Sequence, residues 1–207
     1  MEEFLGVQRP ARRILDADEA VAALERVVPG LVVLRRREPA VYDWTAAEDA
    51  LGTALPADFK RLCEWYPAFV LDDFMSAGLI HSGQETDLAR QIREEREWWA
   101  SGAYGDLLPA GLVPGGLSSW GESMEGDRFL WTSVAEGPEH WLVTVCSRNG
   151  PWWHYEGGMA QFLAELCAGT LEPWALPTVR PEVTGWFDER GAHVWVGEQE
   201  AFTAAED

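Results

Sequence analysis

The sequence predicts an α+β domain, a mainly antiparallel β-sheet packed by several α-helices. Three observations predict it. Apolar residues recur at helical spacing through much of the first half, they alternate in several short runs from Leu107 onward, and helical spacing returns once between Met159 and Gly169. At 207 residues with 47% hydrophobic content, the chain fits one domain with decorations and can bury a core without staples.

Residues 1–15 are expected to be loosely structured. Asp16 or Asp18 can cap a helix running to about Val28, with Val21, Leu24, Val27 and Val28 on one face and Pro29-Gly30 ending it. Leu31 to Leu34 reads as a short apolar strand entering Arg35-Arg36-Arg37, a solvated basic end. These pieces form an N-terminal unit, residues 1–38.

The best-punctuated stretch runs from Trp44 to Pro67. Thr45 and Glu48 match a T-x-x-E capping box, so a helix should begin at Ala46 and close at Gly52, which adopts the left-handed cap without strain. Pro56 opens a second helix, where its missing N–H costs nothing, and Asp58 adds favourable charge to that first turn. Phe59, Leu62, Cys63 and Tyr66 follow at i, i+3, i+4, i+7, and Pro67 ends the helix. Phe69 to Leu79 is expected as a loop or short helix. Residues 84–100 read as a surface helix with a thin stripe, Leu88, Ile92 and Trp99, stopped by Gly102.

Beyond it, Leu112-Val113 and Leu117 flank Pro114-Gly115-Gly116, and Phe129 to Val134 alternates. His140 to Ser147 also alternates, with Trp141, Val143 and Val145 on one side. Asn149-Gly150 is a strong hairpin signal leading into Trp152-Trp153-His154-Tyr155. Met159, Phe162, Leu163, Leu166 and Cys167 make a closing helix ended by Gly169. Residues 177–207 form a C-terminal extension. In it, Glu182 to Phe187 and His193 to Val196 around Glu189-Arg190-Gly191 read as a hairpin that could add to a sheet edge.

The pattern E-x-x-LG-x-x-LP-x-DF-K, carried by Glu48, Leu51, Gly52, Leu55, Pro56, Asp58, Phe59 and Lys60, resembles the opening signature of the SUKH superfamily, the Smi/Knr or cell-wall-assembly-regulator-like proteins. Gly126, Asp127, Phe129 and Trp131, then Phe162 and Leu163 on the closing helix, match later parts of that pattern. The likeness spans roughly residues 40–175, a SUKH-like core domain at 39–176. After Tyr66 the family commonly turns through Asn or His before Gly, whereas Pro67-Ala68-Phe69 stands here. Many bacterial members look like immunity proteins that neutralise toxins, often nucleases. The resemblance therefore implies a non-enzymatic protein-binding module.

The formal net charge of −19 disfavours direct contact with nucleic acid or anionic lipid and favours a basic protein partner. Cys63, Cys146 and Cys167 sit on apolar stripes or in strands, as buried thiols do in a reducing compartment. No basic-then-apolar leader and no apolar run near 18 residues is visible, so a soluble cytoplasmic protein is expected.

Catalytic signatures are missing from the sequence. It holds no phosphate-binding G-x-x-x-x-G-K, no dinucleotide glycine pattern, no C-x-x-C and no H-x-x-x-H, and no cofactor or metal is expected. Gly116-Leu117-Ser118-Ser119-Trp120 lacks the second glycine of a nucleophile elbow. Cys146 could meet His154 across the hairpin, although a packed cysteine and a strand histidine explain both residues more simply.

Tryptophan is the excess, with twelve in the chain. Neighbours on a strand point to opposite faces, so one of Trp152 and Trp153 should lie outside the core or in a groove. An exposed tryptophan beside carboxylates is the composition of a binding hot spot. The candidate partner-binding residues are therefore Trp120, Glu122, Glu125, Asp127, Trp152, Trp153 and Tyr155. A basic toxin domain is the first partner class, with a host protein bound by a regulatory or scaffold adaptor as the alternative. An enzyme with an assembled Cys/His site ranks third.

Overall fold

The computed structural model describes residues 4–102, 112–148, 150–189 and 192–196. Its strands are β1 (Phe4–Gln8), β2 (Phe69–Leu71), β3 (Met75–Ala77), β4 (Leu117–Ser123), β5 (Arg128–Thr132), β6 (Leu142–Cys146), β7 (Trp152–Tyr155), β8 (Val183–Glu189) and β9 (Ala192–Val196). The α-helices are α1 (Ala17–Val27), α2 (Gly30–Leu34), α3 (Trp44–Leu51), α4 (Ala57–Trp65), α5 (Glu85–Ala100) and α6 (Met159–Cys167). The strands form one sheet in the order β1-β7-β6-β5-β4-β3-β2-β8-β9. Every neighbouring pair is antiparallel except β1 and β7. The fold is thus the α+β arrangement that the alternation and the helical stripes predict.

Local chemistry explains the helix ends. Asp16 caps α1, its carboxylate accepting the Glu19 amide at 2.8 Å, and Ala20, Val21 and Leu24 are buried. The cap of α3 is Asp43, which accepts the Ala46 amide at 3.0 Å, and the helix begins at Trp44. Thr45 is therefore inside the helix, and the expected T-x-x-E box does not form. Glu48 instead reaches forward to the Leu55 amide at 2.9 Å and the Lys60 ammonium at 2.7 Å, which fixes the loop into α4. Gly52 ends α3 at φ 69°, as its position predicts. Pro56 stands at the N-cap position of α4, and the Phe59, Leu62, Cys63, Tyr66 stripe is buried throughout.

Three segments differ from expectation. Residues 4–8 form β1, which pairs parallel to β7, because β7 offers an unpaired edge beside the core. Leu31 to Leu34 is the helix α2. Leu31 and Leu34 are buried one turn apart, and Leu34 packs so close to Gly185 of β8 that a Cβ there would lie 2.7 Å from its side chain. The next two arginines are engaged as well. Arg36 donates to the carbonyls of Cys63 and Tyr66 at the C-terminal end of α4, and the Arg35 guanidinium lies 4.4 Å from the Trp65 ring centroid. Phe69 to Leu79 holds the hairpin β2–β3. Asp72 and Asp73 take φ 50° and 49°, and the Phe74 amide donates to the Leu71 carbonyl at 2.9 Å. Positive φ at both central residues is the mirror-image turn that fits strand twist, and aspartate tolerates it.

Both sheet faces are covered where β5, β6 and β7 run. Phe129, Trp131, Val143, Val145, Trp153 and Tyr155 belong to the main core with α1, α4 and α6. Leu117, Leu130, Cys146 and Trp152 point the other way and form a second cluster around Trp99, from the last turn of α5. Helix α5 lies beside the part of β4 that β3 leaves unpaired, and Glu95 Oε2 accepts the Ser119 amide at 2.6 Å. At the far end of the sheet, β8 pairs with β2 and carries β9, the edge hairpin expected of the C-terminal extension. Leu107, Asn149, Arg190, Gly191 and the tail after Val196 lie outside the described residues.

Candidate functional site

Five of the seven candidate residues are inside the protein. Trp120 is 3% exposed, its ring 5.6 Å from Phe129 and 6.0 Å from Phe162 between centroids. Trp152 and Trp153 are both fully buried, on opposite faces. Trp152 meets Trp99 edge to face at 5.8 Å, and Trp153 donates its indole N–H to the Trp174 carbonyl at 3.0 Å. The expectation that one of the pair is displaced from the core is corrected for a specific reason. The alternation is real, but the end of α5 supplies a second apolar layer for the outer residue. Tyr155 is buried against Phe162, and desolvation holds its phenol well above the usual range.

Asp127 is buried too, and it organises rather than presents. Its carboxylate accepts the Ser123 hydroxyl at 2.5 Å and the Arg148 amide at 3.0 Å, while its own amide donates to Ser123 Oγ at 2.9 Å. Two further bonds clamp the β4–β5 turn. The Met124 amide donates to the Phe74 carbonyl at 2.8 Å, and Arg148 Nη1 donates to the Glu125 carbonyl at 2.9 Å. Gly126 sits at φ 95°, where a side chain would be strained. The turn therefore holds Glu122, Met124 and Glu125 outward on a fixed backbone, with Met124 78% exposed. Met124 is the residue that sequence reasoning missed. Its place between two glutamates at a hairpin tip was the available signal.

Glu122 and Glu125 take part in none of the ion pairs among the described residues. Many arginines are consumed internally. Arg13 donates to the carbonyls of Glu139, Trp141 and Glu156, and Arg36 to those of Cys63 and Tyr66. Arg9, Arg12, Arg61, Arg90 and Arg180 each pair with a carboxylate. The charge left to act on a partner is thus the unpaired acid.

A second polar cluster joins helix N-termini. Asp58, buried, accepts the amides of Phe59 in α4 and Ala160 in α6, each at 2.9 Å. Glu139 Oε1 accepts the Ala57 amide at 3.1 Å. Gly158 has to be glycine, since a Cβ would stand 2.6 Å from Asp58 Oδ2. Burial raises the Asp58 carboxyl above its ordinary value, against the two amide bonds that favour its anion. The hollow beside it measures about 10 Å³, room for one water at most. The cluster fastens α4 to α6 and has no space for a substrate.

The Cys/His pairing suggested by the sequence takes a different form. Register sets Trp152 opposite Cys146 and His154 opposite Thr144. The histidine Nδ1 lies 2.8 Å from Thr144 Oγ1, which is 2.6 Å from Thr132 Oγ1. Burial lowers His154 to about 4, so the ring is neutral at pH 7, and it pushes the Cys63 and Cys167 thiols up to about 12. None of the three cysteines is in a disulfide. Among the described residues no group of three His, Cys, Asp or Glu side chains could hold a metal ion, and no helix is long and apolar enough to cross a membrane. Comparison of the chain with protein-family models, with curated proteins and with solved structures finds no match.

Proposed function

We propose that this chain is a non-enzymatic protein-binding module, an immunity-type protein that binds and neutralises a basic toxin domain. The observation that carries the reading is the β4–β5 turn, where Glu122, Met124 and Glu125 project from a backbone fixed by buried Asp127. A pre-ordered turn loses little entropy on docking, the unpaired carboxylates steer a cationic partner, and an exposed methionine supplies adaptable apolar area. The net charge of −19 gives the steering its long-range component and opposes nucleic acid or an anionic membrane as the direct ligand. The resemblance of Glu48 to Lys60 to the SUKH signature supports the immunity role. A cytoplasmic location belongs to the same reading, since buried cysteines outside any disulfide suit a reducing compartment.

The test is co-expression with the polypeptide encoded beside the gene. Stable co-purification and protection of the host, both weakened by added salt and by the Glu122→Lys, Glu125→Lys double variant, are the expected results. Absence of both capture and protection would sink the proposal. Capture of a host protein encoded elsewhere would assign the chain to the regulatory adaptors instead.

A further inference from the structure

A groove runs between α5 and the β3–β4 pair, next to the acidic turn. Its volume is about 220 Å³, and its lining includes Ser76, Ile80, Leu88, Gln91, Ser119 and Glu122. A Cβ on Gly121 would lie 2.8 Å from the Ser76 carbonyl oxygen, and one on Gly78 would lie 2.9 Å from that of Trp120. Both positions therefore stay free of side chains, and bare backbone forms that part of the groove wall.

We propose that this groove receives an arginine or lysine side chain of the partner, an inference that rests on the protein-binding reading above. The chemistry of the lining selects that occupant. Ile80 and Leu88 offer apolar surface to an aliphatic stem, while Gln91, the serines and the bare backbone offer acceptors to its head. Glu122 supplies the charge. Its cross-strand neighbour Arg128 leans away, with Nη1 3.9 Å from Glu95 Oε1 and its guanidinium 5.9 Å from the Trp98 ring centroid. Glu122 forms no ion pair with it or with any other cation among the described residues. An anionic group would be repelled at this rim, and a bulky apolar one would strand the polar floor without partners.

The experiment is an amide-resolved NMR titration of the full chain at low ionic strength. The probes are a capped Leu-Arg-Leu tripeptide and its Leu-Gln-Leu analogue. The cationic peptide should shift the amides of Gly78, Gln91 and Ser119 to Glu122, and the neutral analogue should leave them in place. Glu122→Gln should weaken binding by about tenfold, as loss of a charge-assisted contact does. Gln91→Trp, which fills the groove from an exposed helix position, should abolish the shifts while the rest of the spectrum stays that of the folded chain. No shifts, shifts scattered over the acidic surface, or undiminished binding by Glu122→Gln would overturn the proposal. Failure of the underlying reading looks different. A neighbour-encoded partner captured equally well by Glu122→Gln removes the groove and leaves the binding module. A chain that captures no partner removes the module, while the tripeptide titration still reports on the groove.

Discussion

Replacing Trp152 with alanine separates a tryptophan that holds the fold from one that waits for a partner. The side chain is fully buried against Trp99, Leu117, Leu130 and Cys146. An indole of this kind removes about 200 Å² from water, so its burial is worth about 5 kcal/mol at most. Large-to-small substitutions of buried aromatics cost about 3–5 kcal/mol once the residual cavity is included. The expected loss is therefore about 4 kcal/mol. For a chain of 207 residues, each kcal/mol lowers Tm by about 2–4 °C, which puts the shift near 10 °C. Differential scanning calorimetry and a urea titration would measure it, with Trp153→Ala as the companion from the main core. Both variants should fall by comparable amounts. If Trp152→Ala stays within about 0.5 kcal/mol of the parent while Trp153→Ala falls, the second core is wrong and Trp152 belongs to the surface.

Other outcomes follow from the same contacts. Asp58→Ala leaves the Phe59 and Ala160 amides without their acceptor, and at about 1–3 kcal/mol for each orphaned donor it should loosen α6, read as faster hydrogen exchange there. His154 carries a pH dependence whose sign is fixed. Its folded value of about 4 lies below the 6.5 of the unfolded chain, so the unfolded state takes up the proton first. Stability is then fully present above pH 6.5 and falls by about 3 kcal/mol as pH drops to 4. His154→Asn should flatten that window in urea titrations, and an unchanged slope would count against the assignment. Asp73 holds φ 49°, so Asp73→Gly should stabilise the β2–β3 hairpin by about 0.5–1 kcal/mol, checked by calorimetry.

What could be read without coordinates was whatever depends on neighbours in sequence. The stripe from Phe59 to Tyr66, the stop at Gly52, the alternation through β5 and β6 and the closing helix α6 follow from periodicity and caps. Errors arose where distant partners choose. Leu31 to Leu34 has the composition of a strand, but Gly185 of β8 offers close packing to one face of a turn, and a helix results. Thr45 matches a cap by its spacing to Glu48, and only the path of the chain into α3 gives that place to Asp43 instead. Residues 4–8 lie in a stretch that reads as loosely structured, and the open edge of β7 makes them a strand.

The candidate site divides along the same line. Glu122 and Glu125 were legible as surface acids because carboxylates without buried partners stay in water. Asp127, one residue beyond Gly126, was not, because its burial depends on the Arg148 amide arriving from beyond β6 as well as on nearby Ser123. By itself the sequence determined the α+β class, the helices around Gly52 and Pro56, and the acidic surplus, since local sterics and net charge do not depend on topology. The tertiary structure decided which tryptophans are core and where unpaired acid remains. Burial is a property of both sheet faces at once, and only the placement of α5 beside β4 closes the second face.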